Sequence, residues 1–161
     1  PAAKAGADAP LPCGCPGSMA RKLAPPAATE AVGKGRPSRL GQWPVQLGPL
    51  PARGPMWQDA DVLIAADCVA YALADFHERL LAGRTLAIAC PKLDDVAPYV
   101  AKLAAICAGN DIRSITVAHM EVPCCSGLGN AVRQALAASG RDDIPLHDVT
   151  VGIDGNIQSA T

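Results

Sequence analysis

From about residue 60 onward, short apolar runs alternate with segments of helical spacing, and that alternation leaves few architectures open. The runs are nearly continuous rather than alternating, as expected of parallel strands covered on both faces. They predict strands over 61–67, 85–89, 114–120 and 149–153. The segments between them predict helices from about Val69 to Leu81, Asp94 to Ala108 and Gly127 to Ala138. In the second of these, Val96, Val100, Leu103 and Ile106-Cys107 recur at steps of three or four, which gives one apolar face. Gly83, Gly109-Asn110 and Gly140 stand at the predicted helix ends, where glycine is a common stop. Asp94 is the expected cap of the second helix, and Pro98 falls in its first turn, where proline is tolerated. The Asp154-Gly155-Asn156 turn then leads into a short returning strand at Ile157-Gln158.

Strand–helix alternation implies right-handed crossovers and a parallel sheet between helical layers. The expected fold class is therefore α/β: a three-layer, Rossmann-like, mostly parallel sheet with helices on both faces, over residues 40–161. Trp43-Pro44-Val45-Gln46-Leu47 has β character, and Pro44 places it at a strand start or a sheet edge. Residues 1–39 are rich in Ala, Pro, Gly and Lys/Arg and predict a flexible arm, with a short helical turn at 19–23 and a linker from Pro25 to Pro37. The chain begins at Pro1, which reads as a piece of a longer protein.

Aromatic residues make up only 3% of the chain, so the core has to be aliphatic. The formal net charge of −1, with both signs interleaved, lacks the basic footprint of a nucleic-acid binder. No apolar run is long enough to span a membrane, and residues 1–12 lack the pattern of a signal peptide. Seven cysteines without such a signal favour a reducing, cytoplasmic setting, and an odd count argues against a pure disulfide framework.

Four of those cysteines follow predicted strands: Cys68, Cys90, and the adjacent pair Cys124-Cys125 after Glu121-Val122-Pro123. Parallel neighbouring strands would gather all four at the carboxyl edge, where open α/β sheets hold their ligands. Thiolate sulfur is soft, and several thiolates on one side suit an iron–sulfur cluster or zinc. Cysteine in an alanine-rich core also packs as a small hydrophobe, the reading favoured for Cys107 in mid-helix. The helix expected after Cys125 would offer a positive dipole end and free N–H groups at Ser126 and Gly127. Ser126-Gly127-Leu128-Gly129 lacks the spacing and the lysine of a phosphate loop. Asp67, His119, Ser126 and Gly127 are expected around the thiols, with His119 read chiefly as a core histidine. Asp67 and Asp94 would tune the site by charge. Cys13 and Cys15 form a Cys-x-Cys island that either completes the site, holds a second metal or carries free thiols.

Five segments carry a resemblance to a family. They are Cys13-Gly14-Cys15-Pro16-Gly17-Ser18, Gln42-Trp43-Pro44-Val45-Gln46-Leu47, Ala65-Ala66-Asp67-Cys68-Val69, Cys90-Pro91-Lys92-Leu93-Asp94-Asp95 and Met120-Glu121-Val122-Pro123-Cys124-Cys125-Ser126-Gly127. The chain resembles the C-terminal domain of anaerobe proteins that carry two 4Fe–4S ferredoxin modules and have no assigned function. The modules' own Cys-x-x-Cys-x-x-Cys runs are absent here. The resemblance implies an electron-carrying ferredoxin neighbour in the same full-length chain. A weaker similarity is to the cysteine-rich CCG domain of heterodisulfide reductase: Cys90 is followed by 33 residues and then Cys124-Cys125, but nothing cysteinyl lies beyond Cys125. The expected function is an iron–sulfur redox domain, 4Fe–4S favoured, serving as an electron-transfer component of an oxidoreductase. The alternatives are a zinc-bound docking module and a thiol enzyme using Cys125.

Overall fold

A computed structural model describes residues 20–23 and 36–161. Cys13, Cys15 and the expected linker up to residue 35 lie outside the described residues. Seven strands and three α-helices follow in chain order: β1 (Arg21–Lys22), β2 (Gln42–Trp43), β3 (Ala60–Ala66), α1 (Val69–Ala72), β4 (Thr85–Ala89), α2 (Val96–Gly109), β5 (Ile112–Met120), α3 (Ser126–Ser139), β6 (Leu146–Val151) and β7 (Ile157–Ala160).

The main sheet runs β4-β3-β5-β6-β7. β3 pairs in parallel with both β4 and β5, β5 pairs in parallel with β6, and β7 returns antiparallel beside β6. The chain steps from β3 outward to β4, then crosses back over β3 to reach β5. With right-handed crossovers, that reversal puts α1 on one face and α2 and α3 on the other. Leu63 and Ile64 of β3 and Val117 of β5 are fully buried, as strands covered on both faces require. Trp57 is also fully buried, and its indole N–H donates to the Pro51 carbonyl at 2.9 Å, so a polar atom in the core keeps a partner.

The outer edge of β4 is covered rather than left open. The Gln42 side chain reaches across to the backbone of Leu86, donating to its carbonyl at 2.6 Å and accepting from its N–H at 3.3 Å. Further along, Ile88 exchanges backbone bonds with Val45 and Leu47, so the β character expected of residues 43–47 is realised as an edge segment.

The structure departs from the expected elements in three places. Residues 20–23 form no helical turn: Arg21 and Lys22 pair antiparallel with Trp43 and Gln42. The helix expected from Val69 to Leu81 stops at Ala72, where Leu73 turns extended, and resumes as a π-helical stretch, His77–Leu81. The cap of α2 is Asp95, whose carboxylate accepts from the Ala97 N–H at 3.0 Å, while Asp94 instead takes the Tyr99 hydroxyl. The other helices and strands fall within a few residues of their predicted ends.

Gly155 ties the turn after β6 to the end of α1. Its φ is +82°, and a Cβ there would come within 2.5 Å of the Ala72 carbonyl oxygen. Gly155→Ala combines left-handed backbone strain with a clash against main chain. It should lower stability by about 2 kcal/mol, read as a lower urea midpoint at unchanged slope.

Candidate functional site

The order β4-β3-β5 creates a switch point between β3 and β5, where successive connections leave in opposite directions. In open α/β sheets the crevice at the carboxyl end of such a point is the usual place for a ligand. Cys68 lies in the turn after β3, and Cys124-Cys125 follow β5, so they flank this crevice. Cys90 follows β4, one strand further out. All four therefore share the carboxyl edge.

Within that edge the thiols differ. Cys68 and Cys124 are exposed, Cys90 is half-buried and Cys125 is buried. Cys124 and Cys125 lie in a single 3₁₀ turn, Pro123–Cys125, which runs straight into α3 and puts both at its positive end. Burial pushes the Cys125 thiol pKa up, and the neighbouring Cys124 and Cys68 thiols push it the same way. A hydrogen bond with the Met120 backbone only partly opposes this. Cys125 is thus held as a neutral thiol, the opposite of a nucleophile activated by a helix dipole.

The Cys90 loop is folded against the same helix start. The Cys90 carbonyl accepts from the N–H groups of Leu93 and Asp94, at 3.1 and 3.0 Å. Pro91 packs on Gly127, where a Cβ would come 3.5 Å from the proline ring. Tyr99, from α2, donates to Asp94. Burial, reinforced by that carboxylate, raises the Tyr99 pKa well above the usual phenol range, so the hydroxyl remains a donor. Ser126 does not face the crevice as a free hydroxyl: it donates to the Pro123 carbonyl at 2.8 Å and locks the cysteine turn.

Two expected neighbours behave differently. The His119 ring is fully engaged, as expected of a core histidine. Its Nδ1 meets the Met120 carbonyl and its Nε2 meets the Asp148 carboxylate, each at 2.9 Å, so neither ring nitrogen is left for a metal. Asp148 is also gripped by Arg133 at 3.2 Å. Asp67 does sit at the edge. Burial raises its pKa above the usual carboxylate range and the charge of Asp94 adds to this, while a hydrogen bond from Gln46 works against it. Its Oδ1 is buried with no hydrogen-bond partner. Sequence patterns carry no signal for that orphaned atom.

The donor set fits a soft metal in its chemistry and in the edge it occupies. The side-chain positions do not: among the described residues no three His, Cys, Asp or Glu side chains are set to hold a metal ion. The closed four-thiolate cage expected from the sequence is therefore not preformed. Three large hydrophobics stand exposed in connections at this carboxyl edge: Tyr71, Leu93 and Ile153. At the opposite end of β4, a cavity of about 380 Å³ is bordered by Arg21, Lys22, Arg39 and Arg84.

Comparison with known proteins adds the family. Residues 54–161 match a family model described as a Rossmann-like domain. The chain belongs to this Rossmann-like domain family. An uncharacterized protein of Archaeoglobus fulgidus is 31% identical over 100 residues, covering 62% of this chain and 70% of the relative. No solved structure matches the chain significantly. Neither description names a metal, a cofactor or a reaction. The Rossmann-like match spans β3 through β7 and so contains all four edge cysteines. No helix among the described residues is long and apolar enough to cross a membrane.

Two measurements follow from the geometry. Burial raises the Cys107 thiol pKa to about 11. Under native iodoacetamide labelling at mildly alkaline pH, Cys68 and Cys124 should be modified first, Cys125 slowly, and Cys107 only after denaturation, as read by peptide mass spectrometry. For Asp67, the raised folded pKa means that folding favours the protonated acid. Its contribution is fully present below the unfolded pKa and is lost as pH rises through the folded value. Asp67→Asn should therefore gain stability over the native chain at pH 7 and lose that advantage near pH 4, measured by urea denaturation at both.

Proposed function

We propose that the carboxyl edge of this Rossmann-like domain binds an iron–sulfur cluster and passes electrons to or from a ferredoxin-type partner. The observation that carries the reading is that three connections, after β3, β4 and β5, each deliver cysteine to the carboxyl edge that holds the switch point. Cys125 lies within electrostatic reach of both Cys124 and Cys68. Cys90 comes from a loop braced on the same helix start. The exposed thiols, Cys68 and Cys124, are the natural first donors, and rotation of Cys125 and Cys90 would complete a set of four.

A bound cluster would supply one-electron chemistry at this edge. The chain's own part is to hold the donors and set the local field. The start of α3 presents backbone N–H groups and a positive dipole end to thiolate or sulfide. The turn-locking bond from Ser126 to Pro123 fixes the direction in which Cys124 and Cys125 leave the backbone. The carboxylates of Asp67 and Asp94 add negative charge nearby and would favour the more oxidised state. The resemblance to ferredoxin-module proteins supports an electron carrier in the same full-length chain as the partner.

Zinc would use the same thiolates without redox chemistry. Anaerobically purified protein should carry iron and acid-labile sulfide, with visible charge-transfer absorption, and Cys124→Ala should lose most of both. Colourless protein with stoichiometric zinc would replace the redox reading with a structural one. Metal-free anaerobic protein that takes up neither iron nor zinc on reconstitution would remove both.

A further inference from the structure

The cavity of about 380 Å³ lies at the start of β4, at the end of the strand away from Cys90. Four cationic residues border it, Arg21, Lys22, Arg39 and Arg84, and among the described residues no aspartate or glutamate does. Three chain segments supply them. Arg21 and Lys22 form β1 and are held by its pairing with β2. Arg39 precedes β2, and its backbone N–H donates to the His77 ring at 3.0 Å. Arg84 directly precedes β4, and its guanidinium donates to the Leu80 carbonyl at 2.6 Å.

Elsewhere the fold matches arginine with acid. Arg36, Arg79, Arg113, Arg133 and Arg141 each form an ion pair with a carboxylate. Among the described residues four arginines form none, Arg21, Arg39, Arg53 and Arg84, and three of these four border this cavity. The charge of Arg84 reaches Asp61, but Arg113 and Ser114 already occupy the oxygens of that carboxylate. A concave surface lined by one sign of charge concentrates the field inside it and attracts an ion of the other sign. Guanidinium forks match phosphate oxygens in geometry, and a phosphate monoester carries about two negative charges at neutral pH, against one for a carboxylate. Pro55 and Met56 add apolar wall. Cavities of roughly 300 to 1,000 Å³ are those that take small organic ligands. The chain as a whole has a formal net charge of −1, so the basic face is local to this cavity and is not the broad field of a nucleic-acid binder.

We propose that this cavity binds a small organic phosphate, its phosphate held by Arg21, Lys22, Arg39 and Arg84 and its organic group lying against Pro55 and Met56. The site stands at the opposite edge of the sheet from the thiols and needs no metal there.

The test uses the full chain and phenyl phosphate as the probe. Phenol (no anion), benzoate (one charge) and inorganic phosphate (no organic group) are the comparisons. Binding is followed by calorimetry and by amide chemical shifts at low ionic strength. Phenyl phosphate should bind at low-millimolar concentration or better. It should shift the amides of residues 20–22, 39–42 and 83–85 and leave those of 121–127 in place. Each comparison should bind at least about tenfold more weakly. Among the described residues the Arg39 side chain makes no hydrogen bond or ion pair, so Arg39→Gln leaves the fold intact and should weaken phenyl phosphate about tenfold. A Cβ at Gly41, which also borders the cavity, meets nothing within 4 Å. Gly41→Leu should therefore block binding by occlusion, with the charge unchanged and the main-sheet shifts in place. The proposal is overturned if phenyl phosphate shifts none of these amides, if any comparison binds equally well, or if either folded variant binds it as the native chain does. Tighter binding of a single-stranded oligonucleotide than of phenyl phosphate, at equal phosphate concentration, would also overturn it, in favour of a nucleic-acid surface.

Discussion

The parallel pairing of β3 with strands on both its edges is the constraint from which the rest follows. β3 is hydrogen-bonded to β4 on one side and β5 on the other. Its residues from Val62 to Ala66 are buried, so hydrophobic burial and a complete backbone ladder fix its register together. Because both neighbours run in the same direction, their following loops must all emerge at one end. The cysteines share one edge for that reason, with no local motif needed to place them there.

Around that edge, the structure gives similar side chains unequal roles. Cys125 is buried and kept neutral, whereas Cys68 and Cys124 face solvent. Asp95 caps a helix, Asp94 holds a tyrosine, and Asp67 retains an unpaired oxygen. Asp94 and Asp95 thus maintain the fold, while Asp67 is held by Gln46 through only part of its carboxylate.

Much of the architecture was legible in the sequence because parallel strands buried on both faces leave continuous apolar runs, as at 62–66 and 85–89. The break after Ala72 was not legible. Val69, Leu73, Phe76 and Leu80 keep helical spacing straight through it, and periodicity cannot distinguish one helix from two offset pieces on the same face. Arg21 and Lys22 form a strand only by pairing with Gln42 and Trp43 some twenty residues away, a long-range interaction that local propensity does not encode. The shared edge of the cysteines could be read from topology. Which thiols face solvent, and where His119 points, could not, because side-chain direction depends on the packing of β6 and α3.

The cysteine positions also fix an order of events. Cys68, Cys90 and Cys124 are far apart along the chain and come to share an edge only once three strands have paired through long crossovers, a slow, non-local assembly step. In small zinc fingers the metal drives folding of a chain that is unfolded without it. Here the large aliphatic core can close on its own. Any inorganic centre at this edge would be delivered to a finished domain, and its removal would leave the domain standing.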